Sequence, residues 1–536
     1  MKKILSTLAL FSLWYIAKAQ KPDAVIDIVH YRFEVSLTDQ SDLIKGKAII
    51  QYRKLLPEKK IQLDLITPDA SGKGMKVLAV TAEGLVKFEH RANVLTLNFN
   101  NKNETGTVQT VQITYEGIPS DGLIIGKNKY GHRGFFADHW PQRAHYWLPC
   151  VDHPADKATV DFVVTAPDHY RVVANGVLKE EKELGQGFKQ TTYTEEMPLP
   201  TKVMAIGVAD FSVQQSGTYS GVPVYSWVYP EEEERGARDY AQALDVLPFY
   251  ASHIGPYAYR KLANVQSRTR FGGLENANTI FYSENSITGQ LKNTALIAHE
   301  IAHQWFGNMA TEKDWPHVWL SEGFATYLTN CFMESRFGSD TLKSLLKQQR
   351  KEVIAFADKD KYPVVDSIHT DPMQLLNANS YQKGGWVLHL LHRELGDELF
   401  WKSIKTYYEK YSGKNADTRD FQHTVETVSQ RALSDFFDQW LYQPGVPQLD
   451  IRWDYHADKK VVTLRVEQLQ PHLFNFPLEF CFTANNVPLG DSPERQFIKE
   501  RISMITVPLP VRPKNLIVDP EINMLVDYTI SPPELH

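Results

Sequence analysis

From Thr294 to Gly307 the chain reads Thr-Ala-Leu-Ile-Ala-His-Glu-Ile-Ala-His-Gln-Trp-Phe-Gly, and a loop containing Trp and Pro then leads to Ser321-Glu-Gly-Phe-Ala. His299 and His303 are four residues apart among helix formers. That spacing predicts a helix with both imidazoles on one face, one turn apart, able to grip a single ion. Glu300 leans over the same face without lying in line with the pair. Gly307 is the expected C-terminal cap.

Two imidazoles do not complete a catalytic metal site, which needs a third protein ligand and an open fourth position. Glu322 is the candidate. It opens a second helical pattern, Trp319 to Phe337, that stops at Gly338. Phe324, Tyr327, Leu328, Cys331 and Phe332 form an apolar stripe along it. At roughly 100° per residue, Glu322 lies about 200° from Phe324, on the other side. A short loop brings that side back to the His face. The bland alternative is a chance HExxH on a surface or core helix. The amphipathic helix, the glycine after it and the second-helix carboxylate favour a metal, and a His₂Glu set points to water-activating zinc.

A length of 536 residues predicts several domains. With 43% hydrophobic and 23% charged residues and a net charge of −6, the chain reads as globular and as no partner for nucleic acid. Lys2 and Lys3 precede an apolar run from Ile4 to Ala17, and Ala17-Lys18-Ala19 fits a cleavage site. Residues 1–19 are therefore expected to be a signal peptide, and the protein to be exported, periplasmic or secreted. No later run has the length of a membrane span. Cys150, Cys331 and Cys481 could form one disulfide at most.

From 20 to 215 the pattern is β, as in Tyr31–Leu37, Val94–Phe99 and Val108–Tyr115, and predicts a sandwich-like domain. Within it, residues 134–157 crowd aromatics, His, Asp and Pro. They read equally as a packed interdomain loop or as a piece of substrate pocket. Helical periodicity begins near Pro230 and runs towards Tyr250, with Glu231–Glu234 expected as its solvated first turn. A Gly pair, Gly272-Gly273, precedes a strand-like run and suits close approach by another backbone. Gly384 and Gly385 thin one side of a later helix. Helical patterns continue to Leu441, and alternation returns after Pro447. The expected architecture is multidomain α+β. It consists of the N-terminal β domain (20–215), an α-rich domain (216–446) and a small C-terminal β-sandwich (447–536).

With these residues in view, the chain resembles the gluzincin aminopeptidases, the family of aminopeptidase N and the leukotriene hydrolase. His299-Glu300-x-x-His303 with Glu322 matches the zinc signature of that family in order and spacing. Phe271-Gly-Gly-Leu-Glu-Asn is similar to its G-A-M-E-N motif, with Gly273 for Ala and Leu274 for Met. The resemblance implies a thermolysin-like catalytic domain, one Zn²⁺ per chain and a peptide substrate with a free N-terminus. It implies that Glu275 holds the substrate amine and that Tyr381, in a Tyr-x-Lys-Gly-Gly setting, stabilises the tetrahedral intermediate. Aligning through Pro149-Cys-Val-Asp-His-Pro puts Trp140 where the family often has a Gln or Glu on the amine, and makes Asp138 the candidate second anchor. Thr326 and Thr329 stand where a carboxylate orienting a ligand His is expected. The chain does not include the large helical C-terminal domain of many relatives, so their carboxylate clamp and limit to very short peptides are not carried over.

The resulting scheme is hydrolysis at the first peptide bond. His299, His303 and Glu322 are the ligands, Glu300 the general base, Tyr381 the oxyanion donor, Glu275 and Asp138 the amine anchors, and Gly272 and Gly273 the backbone partners of the substrate. Two rivals are a zinc hydrolase of a non-peptide substrate such as an epoxide, and a binding protein that kept the fold without the chemistry.

Overall fold

The alternating runs near the N-terminus become strands because one face of each can be buried. In Ile26–Ser36 the buried side chains include Tyr31, Phe33 and Val35, every second residue. A computed structural model describes residues 25–100, 105–484, 487–490 and 493–531. The expected signal peptide lies outside the described residues. Seven strands form the main N-terminal sheet, in the order Val177–Gly185, Phe188–Leu199, Ala158–Pro167, Ile26–Ser36, Ile44–Lys54, Val108–Ile118 and Gly74–Ala82. Smaller sheets of three and four strands accompany it.

The expected boundary after residue 215 falls inside a strand. Ser212–Tyr219 pairs with Val222–Val228 and belongs to the five-stranded sheet of the middle domain. That sheet continues through Leu262–Ser267 and Thr279–Ser283 to the two-residue edge strand Gly273–Leu274. Periodicity does not reveal which sheet a strand joins, so the start of this one reads as part of the preceding β run.

The middle domain packs helices α1 (Glu233–Tyr240), α2 (Ala243–His253), α3 (Thr294–Ala302), α4 (Trp319–Phe337), α5 (Ser339–Ala357) and α6 (Gly384–Leu395) with later helices. The single helix expected from Pro230 to Tyr250 is a 3₁₀ turn at Pro230–Glu232 followed by α1 and α2. Its acidic start is not uniformly solvated either. Glu232 is buried, with Lys129 Nζ at 2.6 Å, Tyr130 Oη at 2.6 Å and Arg235 on its other oxygen. Those partners come mostly from a loop about a hundred residues away, beyond the reach of a local charge pattern.

The bounds of α4 are those of the sequence pattern, and Gly338 follows it with φ 90°. α4 and α6 cross where Gly323 faces Gly384: a Cβ on Gly323 would stand 2.9 Å from the Gly384 backbone. After residue 446 the chain forms two sheets of four strands among the described residues, as expected. Cys150, Cys331 and Cys481 are all unpaired. No helix among the described residues is long and apolar enough to cross a membrane.

Candidate metal centre and the cleft around it

α3 and the start of α4 bring three ligand groups to one point. His299 Nε2 and His303 Nε2 are 3.1 Å apart, and Glu322 Oε2 lies 3.4 and 3.3 Å from them. Glu322 Oε2 is buried without a hydrogen-bond partner. The three atoms thus converge on a common point. That is the arrangement of a ligand set for an ion, and the donors suit zinc.

His303 is oriented from behind. Its Nδ1 is 3.2 Å from the Phe306 carbonyl and 3.0 Å from Ser321 Oγ. A proton on Nδ1 donated to that carbonyl leaves the Nε2 lone pair facing the ligand point. Ser321 can come this close because Gly307 has no side chain. A Cβ there would clash with Ser321 Oγ at 2.2 Å, and the Gly307 φ of 111° is one that other residues rarely adopt. Gly307 therefore does not cap α3 as expected, since the helix ends at Ala302 and the glycine serves a tight turn beyond it. The carboxylate expected near Thr326 and Thr329 is not what orients His303. Both threonines line the cleft instead. The sequence reading does not single out Ser321, although its place beside Glu322 is a usable signal.

The charges gathered here seek a cation. Burial opposes ionisation of Glu322, but His303 and His299 outweigh it and hold this carboxyl well below its usual range. Burial likewise works against charge on His303, yet Glu322, Glu275 and Glu300 lift it to about 9. Glu300 is raised well above the usual range by burial, with Glu275 and Glu322 adding to the shift. Burial raises Glu275 too.

The cleft beside the ligands has a volume of about 440 Å³. Gly272, Gly273, Glu275, Glu300, Tyr381 and Trp140 all line it. Glu275 sits on the turn after the edge strand. Its carbonyl accepts from Gln304 Nε2 at 3.2 Å and Asn308 Nδ2 at 2.7 Å, which ties that turn to the end of α3. Its Oε1 is buried and unpartnered. Tyr381 lies on a π-turn, Asn379–Lys383, that precedes α6, and its ring stacks near His299 with centroids 6.1 Å apart. Burial and the surrounding glutamates push its hydroxyl well above the usual phenol range, so it remains a donor.

Asp138 does not join this cleft. It is fully buried, and Arg143 donates to its Oδ1 while the Arg270 N–H donates to Oδ2 at 3.1 Å. Both oxygens are engaged by groups that fix the interdomain loop, and Asp138 is not among the residues that line the cleft. Trp140 takes the position on the cleft wall. Its ring packs 5.2 Å from Trp315, with Lys202 Nζ 4.3 Å from its centroid and paired to Glu312 at 2.5 Å. The crowded 134–157 segment thus begins in the strand Arg133–Ala137, continues as a largely buried connection with a 3₁₀ turn at Ala144–Tyr146, and lends Trp140 to the cleft.

Comparison with known proteins agrees with this arrangement. Residues 28–203 match the peptidase M1 N-terminal domain and residues 239–440 the peptidase family M1 domain. Glutamyl aminopeptidase of Rattus norvegicus is 26% identical over 375 residues, 65% of this chain and 39% of that protein. Aminopeptidase M1-B of Oryza sativa subsp. japonica is 30% identical over 359 residues, 62% of this chain and 40% of that protein. The chain therefore spans about two-fifths of the length of these relatives. A crystal structure of Legionella pneumophila aminopeptidase A in complex with aspartic acid shares the fold, with a TM-score of 0.80 at 18% identity, covering 94% of this chain and 60% of that one. With both M1 domains matched in order and the ligand triad assembled between α3 and α4, the chain belongs to the M1 family of gluzincin peptidases.

Proposed function

We propose that this protein is a zinc-dependent aminopeptidase that releases single residues from the free N-termini of peptides. The carrying observation is the buried, unpartnered Oε1 of Glu275 in the cleft that also holds the His299, His303 and Glu322 convergence. An uncompensated buried carboxylate beside a hydrolytic centre calls for a cationic group from the substrate, and a terminal ammonium supplies one.

His299, His303 and Glu322 would hold the zinc, which when bound would supply Lewis-acid polarisation and water activation. Glu300 accepts the proton of the attacking water and returns it to the leaving amine. The Tyr381 hydroxyl donates to the oxyanion that develops on the substrate carbonyl. Gly273 lies on an edge strand, so its main-chain groups are placed to pair with an extended peptide, whereas the Gly272 carbonyl already accepts from the Ser283 N–H at 3.0 Å within the sheet. Trp140 walls the amine side, and Glu275 is the one carboxylate from the motif turn that meets the ammonium. The basic, apolar and small-residue order of residues 1–19 supports export to the periplasm or the medium.

The test compares short peptides with free and N-acetylated termini. Acetylation removes the charge that pairs with Glu275, so acetylated peptides should be cut at least about a hundredfold more slowly, or ~2.7 kcal/mol. Glu275→Ala should slow the free peptides and narrow that gap. Equal rates on both substrates, or internal fragments by mass spectrometry, would overturn the exopeptidase reading and leave the metal site standing.

A further inference from the structure

We infer that Gly273 is a positioning residue for Glu300: the space left by its missing side chain is the seat of the Glu300 carboxylate. This rests on the proposed role of Glu300 as the base. A Cβ built on Gly273 would lie 2.1 Å from Glu300 Oε1, 2.3 Å from Cδ and 2.5 Å from Cγ. Non-bonded carbon contacts are favourable near roughly 3.5–4.0 Å, so one methyl group forces the carboxylate to move by about 1 Å or more.

The main chain does not require glycine here. Residue 273 is in a strand, paired antiparallel with Tyr282, and its φ is outside the left-handed region. Its neighbour Gly272 is different, since a Cβ there would meet only Leu296 Cδ1, at an ordinary 3.8 Å. The restriction belongs to one glycine of the pair, and the three atoms nearest to that Cβ all belong to Glu300. The glycine is therefore what leaves room for the base at this place. It also sets the carboxylate directly against the edge strand proposed to align the peptide, and so beside the bond to be cut.

The test uses the full-length, zinc-loaded protein. Gly273→Ala should keep its zinc and its melting temperature and hold KM within about threefold, because the backbone N–H and C=O remain. Its kcat should fall about 10- to 100-fold, the scale of a roughly 1 Å misplacement. Glu300→Asp retracts the carboxylate by one methylene, so Gly273→Ala added to Glu300→Asp should change kcat by less than about threefold. Crystal structures should show the Glu300 carboxylate against Gly273 in the unaltered protein and displaced in the alanine variant. An unchanged kcat, a penalty of equal size in the Glu300→Asp background, or a carboxylate standing away from Gly273 would overturn the inference. If the unaltered protein lacks zinc-dependent aminopeptidase activity, the proposed function falls, and the crystallographic comparison still decides the seat.

Discussion

The hydroxyl oxygen of Ser321 lies 3.0 Å from Nδ1 of His303. Ser321 precedes the candidate ligand Glu322, so the start of α4 supplies one candidate ligand and steadies another, His303, at the cap of α3. The two helices are therefore interlocked at the site, and the geometry of the triad depends on both contacts.

Ser321→Ala should weaken metal affinity about tenfold, the low end for partners of ligand histidines, because the Phe306 carbonyl still holds Nδ1. Competition with a chelator measures the change. Wild-type affinity in the variant would show that the hydroxyl contact does not steady the ring.

His303→Ala and Glu300→Gln should fail in different ways. The first removes a ligand, so bound zinc and activity should be lost together. Glu300→Gln should retain zinc and lose about 10²–10⁴ in kcat, as expected when a general base is removed. Metal analysis beside steady-state kinetics separates the two, and zinc loss in Glu300→Gln would make that residue structural.

Tyr381→Phe removes a hydroxyl that its buried, acidic surroundings keep protonated. If that hydroxyl serves the oxyanion, kcat should fall by about 10²–10³ with little change in KM. A raised KM with kcat intact would make it a substrate-positioning group.

Asp156 gives a pH dependence of stability. Burial, with a smaller contribution from Asp27, pushes its carboxyl from the ordinary 3.8 up to about 8, although Ile28 N–H donates to it at 3.2 Å. Between those two values the folded chain holds a proton that the unfolded chain has released. Its contribution to stability therefore declines as pH rises through that window. Asp156→Asn should remove this dependence, which amounts to on the order of a few kcal/mol summed across the window. Denaturation of both proteins at about pH 5 and about pH 8 checks it, and equal slopes would place Asp156 in the ionised state.

How much of this is legible beforehand can be judged residue by residue. α4 runs from Trp319 to Phe337 in both sequence and structure, because its signals are local: side-chain periodicity and a glycine stop. The same locality makes His299, His303 and Glu322 recognisable as one set. Asp138 is misread from the sequence because its fate depends on Arg143 in the same loop and on Arg270, 132 residues away. Glu232 is misread because Lys129 and Tyr130 reach it from another domain.

Residue type and spacing alone point to the candidate ligand set, the order of β, α-rich and β regions, and the candidate base. Assembly in three dimensions is what puts Ser212–Tyr219 in the middle sheet, Ser321 behind His303, and Trp140 rather than Asp138 on the cleft wall. It also sets Gly273 under Glu300. Each of these depends on which distant segments meet. Burial, pairing and close contact are properties of that meeting, and no periodicity along the chain encodes them.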